Sequence, residues 1–253
     1  FSHKLTTLVQ VMILALLFFG TAINYLDRTN MAVAASAIQD DLGLDPAMLG
    51  LILSAFGWTY AFMQVPGGWL TDRFGPRVVY GISLILFSLF TLLQGFAKNF
   101  GTLFGLRLGL GFAESPAFPA NSRVVASWFP QRERALATGV YTAGEYVGLA
   151  IATPLLFWLL SSFGWHSIFI VTGIIGLIFA LVWYKFYKDP KDSKYINKEE
   201  MDYIREGGGL AESAGQGQKI NWSKARHLFK HRQFWGIYIG QFAVASTLYF
   251  FLT

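Results

Sequence analysis

The sequence predicts an all-α polytopic membrane protein, and three observations carry that prediction. The chain is 54% hydrophobic and only 14% charged, whereas soluble domains carry about 25% charged residues. Four runs contain no Asp, Glu, Lys or Arg: Leu5 to Leu26, Pro46 to Thr71, Val78 to Ala97 and Gln233 to Thr253. Each is long enough to cross about 30 Å of hydrocarbon, and with no water to satisfy the backbone such runs form helices.

Spans are expected at roughly residues 8 to 36, 47 to 71, 78 to 97, 101 to 127, 135 to 160 and 166 to 187, with a seventh beginning near 233. The first is too long for a cleaved signal peptide, lacks a small-residue cleavage site and is followed by further spans, so it stays in the chain. The loops 72 to 77 and 128 to 134 carry Arg73, Arg77, Arg132 and Arg134, while the alternate loops carry Lys98 with Asp40, Asp41 and Asp45. The positive-inside rule then puts the N-terminus in the cytoplasm.

Three parts follow: a six-helix bundle over 1–187, a cytoplasmic linker over 188–231, and the start of a seventh span over 232–253. In the linker a short amphipathic helix is expected around Asn197 to Arg205, followed by a flexible glycine run. The sequon Asn221-Trp222-Ser223 lies in the linker and would stay unmodified in the cytosol. The sequence begins without Met and ends inside an apolar run, as a portion of a longer protein would. Six spans, a linker and a new span is the order a duplicated six-helix unit gives.

Several function classes drop out. Cysteine is absent, which excludes disulfides and thiolate metal sites. The net charge of +5 does not point to nucleic acid, because eleven of the twenty Lys and Arg lie between Lys185 and Arg232, a cytoplasmic-loop bias. The sequence "GLG" at 109–111 follows no strand and is no nucleotide fingerprint. No metal cluster or nucleophile constellation is legible, so an enzyme is not expected, and neither is a metal or other cofactor.

Away from helix ends and loops, five ionisable residues remain inside spans: Asp27, Arg28, Arg107, Glu114 and Glu145. Buried charge in a bilayer costs roughly 2.5 to 3.5 kcal/mol per Asp, Lys or Arg, so these side chains should face the bundle interior. At 1.5 Å per residue Asp27 lies about 6 Å from the middle of its span, and Glu114 and Glu145 lie within about 3 Å of theirs. Three carboxylates thus share the central zone where transporters place their sites. Arg107 and Glu114, seven residues apart, sit on one helix face about 10 Å apart. That gap admits a side chain from another helix, and Arg107 is expected to pair with Asp27 when no proton is bound. Burial and the arginine would act in opposite senses on that carboxyl. Glu114 has no cation in its own turn and precedes Pro116 and Pro119, which interrupt backbone bonding. It is therefore expected to favour the neutral form more than Asp27 does. Static ion pairs that lock the bundle are the alternative for Asp27, Arg28 and Arg107, and ordinary packing is the alternative for Tyr25 and Tyr60. Gly105, Gly109, Gly111, Gly144 and Gly148 have the spacing of close helix contacts.

"GGWLTDRFGPR" at 67–77 carries Gly68, Asp72, Arg73, Gly75 and Arg77 in a G-x-x-x-D-R-x-G-x-R pattern. With "RLGLG" at 107–111 and "FPQRERALATG" at 129–139 it resembles the major facilitator superfamily. "NYLDR", "SAFGWTYAFMQVPGGW" and "ESPAFPANSRVVASWFP" are similar to its anion:cation symporter branch, especially the bacterial sugar-acid members. That resemblance implies a major facilitator fold with two six-helix bundles, of which the chain holds the N-terminal one. It implies a monomer in the bacterial inner membrane that imports a sugar-acid anion (a D-galactonate-like aldonate, hexuronate or aldarate) with protons by alternating access. Asp27 and Glu114 match the proton-coupling pair, and Arg28 matches the arginine that binds the substrate carboxylate. Tyr25 and Tyr60 match substrate contacts, while Asp72, Arg73 and Arg77 match a cytoplasmic gate that latches the outward-facing state. Glu145 departs from the glutamine usual in those members: it would be a third proton site, a hydroxyl acceptor or a lineage-specific change. A symporter or uncoupled facilitator of another organic anion, or a transporter-like sensor, is the alternative function.

Overall fold

The computed structural model describes residues 8–194, 196–210 and 230–252; the sequon at Asn221 lies outside the described residues. The described chain is helical: α1 Leu8–Leu42, α2 Pro46–Phe74, α3 Pro76–Gln94, α4 Phe100–Glu114, α5 Ala117–Trp128, α6 Arg134–Phe163, α7 Trp165–Phe186, α8 Lys198–Glu206 and α9 Arg232–Leu252. No strand occurs among the described residues. α1, α2, α3, α6 and α7 are each long and apolar enough to cross a membrane.

Local chemistry sets the ends. Asp45 caps α2 by accepting from the Met48 N–H at 2.7 Å, and Asn99 caps α4 by accepting from Thr102 N–H at 2.9 Å, each satisfying an orphan donor of the first turn. Gly75 alone separates α2 from α3, with φ of 83°, and Pro76 opens α3. That left-handed backbone is open to glycine at little cost, and proline at the first helical position loses no hydrogen bond. α1 runs six residues beyond the expected end at 36 and carries Asp40 and Asp41 on its last turn; Asp41 accepts from the Trp165 indole N–H at 3.0 Å.

The expected fourth span is broken. α4 stops at Glu114 and α5 begins at Ala117, because Pro116 has no N–H for the Phe112 carbonyl. The Ser115 hydroxyl takes that carbonyl at 2.9 Å, and Ser83 from α3 donates to the next one, Ala113, at 2.5 Å. The break therefore falls at Glu114, with its polar groups satisfied from the side.

The chain divides into two compact units, Phe1–Gly217 and Gln218–Thr253. In the first, α1 packs along α6, α3 along α7 and α2 along α4. A Cβ at Gly144 of α6 would strike the Phe18 carbonyl of α1, and one at Gly111 of α4 would strike Phe56 and Thr59 of α2. Gly105 does not belong with them: nothing lies within 4 Å of its added Cβ, so its glycine spacing marks no contact. The first unit has two apolar clusters. One gathers Ile13, Leu17, Phe87, Trp128 and Trp183; the other gathers Met31, Ile38, Leu103, Leu156 and Ile168. On α1 the stretch between them holds Thr21, Asn24, Asp27 and Asn30, all buried.

α8 starts with the reciprocal cap of Asn197 and Glu200, and its Ile204 is 1% exposed within the first cluster. The glycines after it are tied to the α5–α6 connection: Gln131 N–H donates to Gly207 at 2.8 Å and the Arg134 guanidinium to Gly208 at 2.7 Å. Residues 198–210 are thus packed against the bundle by burial and hydrogen bonds. The second unit contributes α9, whose Trp235, Ile237, Tyr238 and Phe242 are exposed within it.

Candidate functional site

The five intramembrane charges do converge, but with different partners from those expected. Asp27 and Arg28 are about 100° apart around α1, so they address different neighbours. Arg28 turns toward α4: its Nη2 lies 2.8 Å from Glu114 Oε1 and its Nε donates to the same oxygen at 2.9 Å. Glu114, with no cation in its own turn, is ion-paired to an arginine from another helix. Asp27 turns toward α3 and α7, where its carboxylate accepts from the Thr91 hydroxyl at 2.9 Å and from the Asn30 amide at 3.3 Å. Asn30 in turn donates to Thr172 at 2.7 Å. The expected Arg107–Asp27 ion pair is not formed. Arg107 packs on the Phe56 ring at 5.2 Å, near enough to Glu114 and Asp27 to feel both charges, while its Nε and Nη1 make no hydrogen bond among the described residues.

Aromatic rings complete the surroundings of Arg28. Its guanidinium carbon stands 4.7 Å from the Tyr25 ring centre, 4.7 Å from that of Tyr60 and 5.3 Å from that of Phe56. A planar guanidinium stacks on such faces and still presents a fork of donors at its edge, the geometry that receives a carboxylate. Glu145 of α6 faces the Tyr25 hydroxyl and lies near Arg28. The tyrosines and Glu145 are thereby placed in one cluster with the arginine, and the buried Asn24 accepts weakly from Tyr80 at 3.4 Å on its inner side.

Exposure separates these groups. Glu114 is fully buried and Asp27 is 2% exposed, whereas the Arg28 side chain retains 16% and Glu145 retains 5%. An anion reaches Arg28 before it reaches Glu114. Thr91, Asn30, Thr172 and Phe56 belong to the site and were not legible in the sequence, since neutral residues on apolar helices carry no mark of depth or facing. No group of His, Cys, Asp or Glu that could hold a metal occurs among the described residues.

The three residues of the expected gate each take a different partner, none of them in this cluster. Asp72 stands 4.0 Å from Arg123, Arg73 rests on the rings of Trp69 and Phe74, and Arg77 donates to the Tyr184 carbonyl at 3.2 Å. Arg77 thus secures the end of α7. Beyond that end Asp189 is 8% exposed and accepts from the Tyr187 hydroxyl at 3.1 Å; burial pushes its carboxyl above the usual carboxylate range.

Comparison with known proteins agrees with this architecture. The chain is 49% identical over 244 residues to a D-galactonate transporter of Escherichia coli O6:H1, covering 95% of this chain and 57% of that protein. It is 42% identical over 257 residues to a probable galactarate/D-glucarate transporter of Bacillus subtilis, covering 98% of this chain and 56% of that one. The chain thus spans little more than half the length of these relatives. Among solved structures, a bacterial homolog of the human lysosomal transporter Spinster in an inward-facing, unoccupied conformation superposes with a TM-score of 0.66 at 25% identity, over 80% of this chain and 50% of that one. The sequence pattern of the Major Facilitator Superfamily matches residues 17–253. With its described residues helical and its buried charges gathered in one cluster, the chain belongs to the Major Facilitator Superfamily.

Proposed function

We propose that the protein of which this chain is the N-terminal portion is a proton-coupled symporter that imports a sugar-acid anion by alternating access. The observation that carries the reading is Arg28, stacked between Tyr25, Tyr60 and Phe56 and ion-paired to the fully buried Glu114. A substrate carboxylate needs the same guanidinium donors that Glu114 occupies. Protonating Glu114 releases them, so proton and anion binding favour one another, and by linkage the effect is reciprocal. Asp27, held by the neutral donors Thr91 and Asn30 rather than by an ion pair, is the second proton site. Arg107, between the two carboxylates, carries the effect of one protonation to the other through its charge.

Substrate chemistry follows from the same cluster and from the relatives, which are named for D-galactonate and for galactarate or D-glucarate. Arg28 takes the carboxylate, while Tyr25, Tyr60 and Glu145 supply hydroxyl and carboxylate partners for a polyol chain. Asp72, Arg73 and Arg77 belong to the cytoplasmic gate, protons are the coupling ion, and the protein works as a monomer in the bacterial inner membrane with its N-terminus in the cytoplasm.

The test is uptake of radiolabelled D-galactonate into proteoliposomes of the full-length protein, with and without an inward proton gradient, for wild type and Glu114→Gln. Gradient-driven accumulation in wild type, lost in the variant while substrate exchange survives, is the expected result. Uptake indifferent to the gradient and to the substitution makes the protein a facilitator.

A further inference from the structure

We propose that Glu145 selects monocarboxylate polyols over dicarboxylates, so that the preferred substrate is an aldonate rather than an aldarate. The inference rests on the sugar-acid reading and narrows it. The described residues of the site hold three carboxylates, Asp27, Glu114 and Glu145, against two guanidinium groups, Arg28 and Arg107. When Glu114 takes a proton and Arg28 receives the substrate carboxylate, Glu145 is left with no arginine of its own, because Arg107 packs on Phe56 beside Glu114 and Asp27. Its partner across the cluster is the Tyr25 hydroxyl.

An ionised carboxylate only accepts hydrogen bonds. The part of the substrate that lies beside Glu145 must therefore bring donors. A hydroxyl-bearing carbon chain does so, while a second carboxylate brings only acceptors and a like charge. The Arg28 side chain keeps 16% exposure where Glu114 has none, and Glu145 lies beside Arg28, so the chain of a substrate held by Arg28 passes near the Glu145 carboxyl. Arg28 is the one guanidinium stacked among the tyrosines that the substrate reaches, and it is already matched to the first carboxylate. Discrimination then comes from the repulsive element as much as from the attractive one.

The experiment is competition of D-glucarate and of D-galactonate against radiolabelled D-galactonate uptake by the full-length protein, in wild type and Glu145→Gln. Wild type is expected to prefer the aldonate, and the glutamine variant to improve glucarate relative to galactonate by roughly tenfold or more, since a like charge a few ångströms away is removed. Glu145→Ala gives the same comparison without a carboxylate, and Glu145→Asp should keep the wild-type preference. Equal competition by both acids in wild type, or an unchanged ratio in Glu145→Gln and Glu145→Ala, overturns the inference and leaves the sugar-acid reading standing. Wild type that takes up labelled D-glucarate but no D-galactonate overturns the inference alone, and uptake of neither overturns both.

Discussion

Arg28 Nη2 stands 2.8 Å from Glu114 Oε1, a pair that joins α1 to the break between α4 and α5. The helix ends at the residue that receives the arginine because Pro116 ends its hydrogen-bond ladder there. A backbone irregularity and a buried charge thus occupy one place, and each is tolerable because the other lies there: the freed backbone groups find hydroxyls, and the carboxylate finds a guanidinium.

Arg28→Lys should bind a sugar acid at least roughly tenfold more weakly, equivalent to about 1.4 kcal/mol, because an ammonium neither stacks between Tyr25 and Tyr60 nor offers a planar fork. Equilibrium binding to the full-length protein, measured calorimetrically, checks this. Affinity equal to wild type would show that charge alone suffices.

Gly144→Leu should destabilise the bundle by roughly 1 to 3 kcal/mol or more, because its side chain would be driven into the α1 backbone at Phe18. Gly105→Ala, with open space around it, should leave the thermal midpoint within a degree or two or raise it slightly through helix propensity. Unfolding of the two purified variants in detergent compares them directly.

Ile204→Ala should release α8 from the bundle, at a cost of about 2 to 5 kcal/mol for a buried isoleucine. Faster proteolytic cleavage within 198–210, with the spans intact, is the expected signature. Unchanged protection would mean that the hydrogen bonds to Gly207 and Gly208 hold the segment unaided.

Asp189→Asn should raise thermal stability at neutral pH. Burial raises the folded-state carboxyl above its unfolded value, so the stability linked to this group is fully present below the unfolded value, about 3.9, and is lost as pH rises through the folded one. The amide keeps an acceptor for Tyr187 without the charge. The gain should shrink as pH falls toward 4, and a melting series over pH 4 to 8 shows whether it does.

Much of this was legible in the sequence. Uncharged runs dictated the spans, a short helix was expected over Asn197 to Arg205, and Pro116 with Pro119 was expected to interrupt backbone bonding in the fourth span. That five charges would face the bundle interior followed from the cost of leaving any of them in lipid. What the sequence could not supply was the partner of each charge, and for that reason Arg107 was expected on Asp27. Depth along a helix follows from counting residues, but facing depends on how each helix is rotated against its neighbours. Thr91 and Asn30 solvate Asp27, and Thr172 holds Asn30, because α3 and α7 turn Thr91 and Thr172 toward α1, and neutral residues announce nothing of this beforehand. The sequence by itself determined which residues must be buried and how deep; only the tertiary structure decided that Arg28 holds Glu114, because the choice lies in side-chain geometry between helices that are distant in the chain.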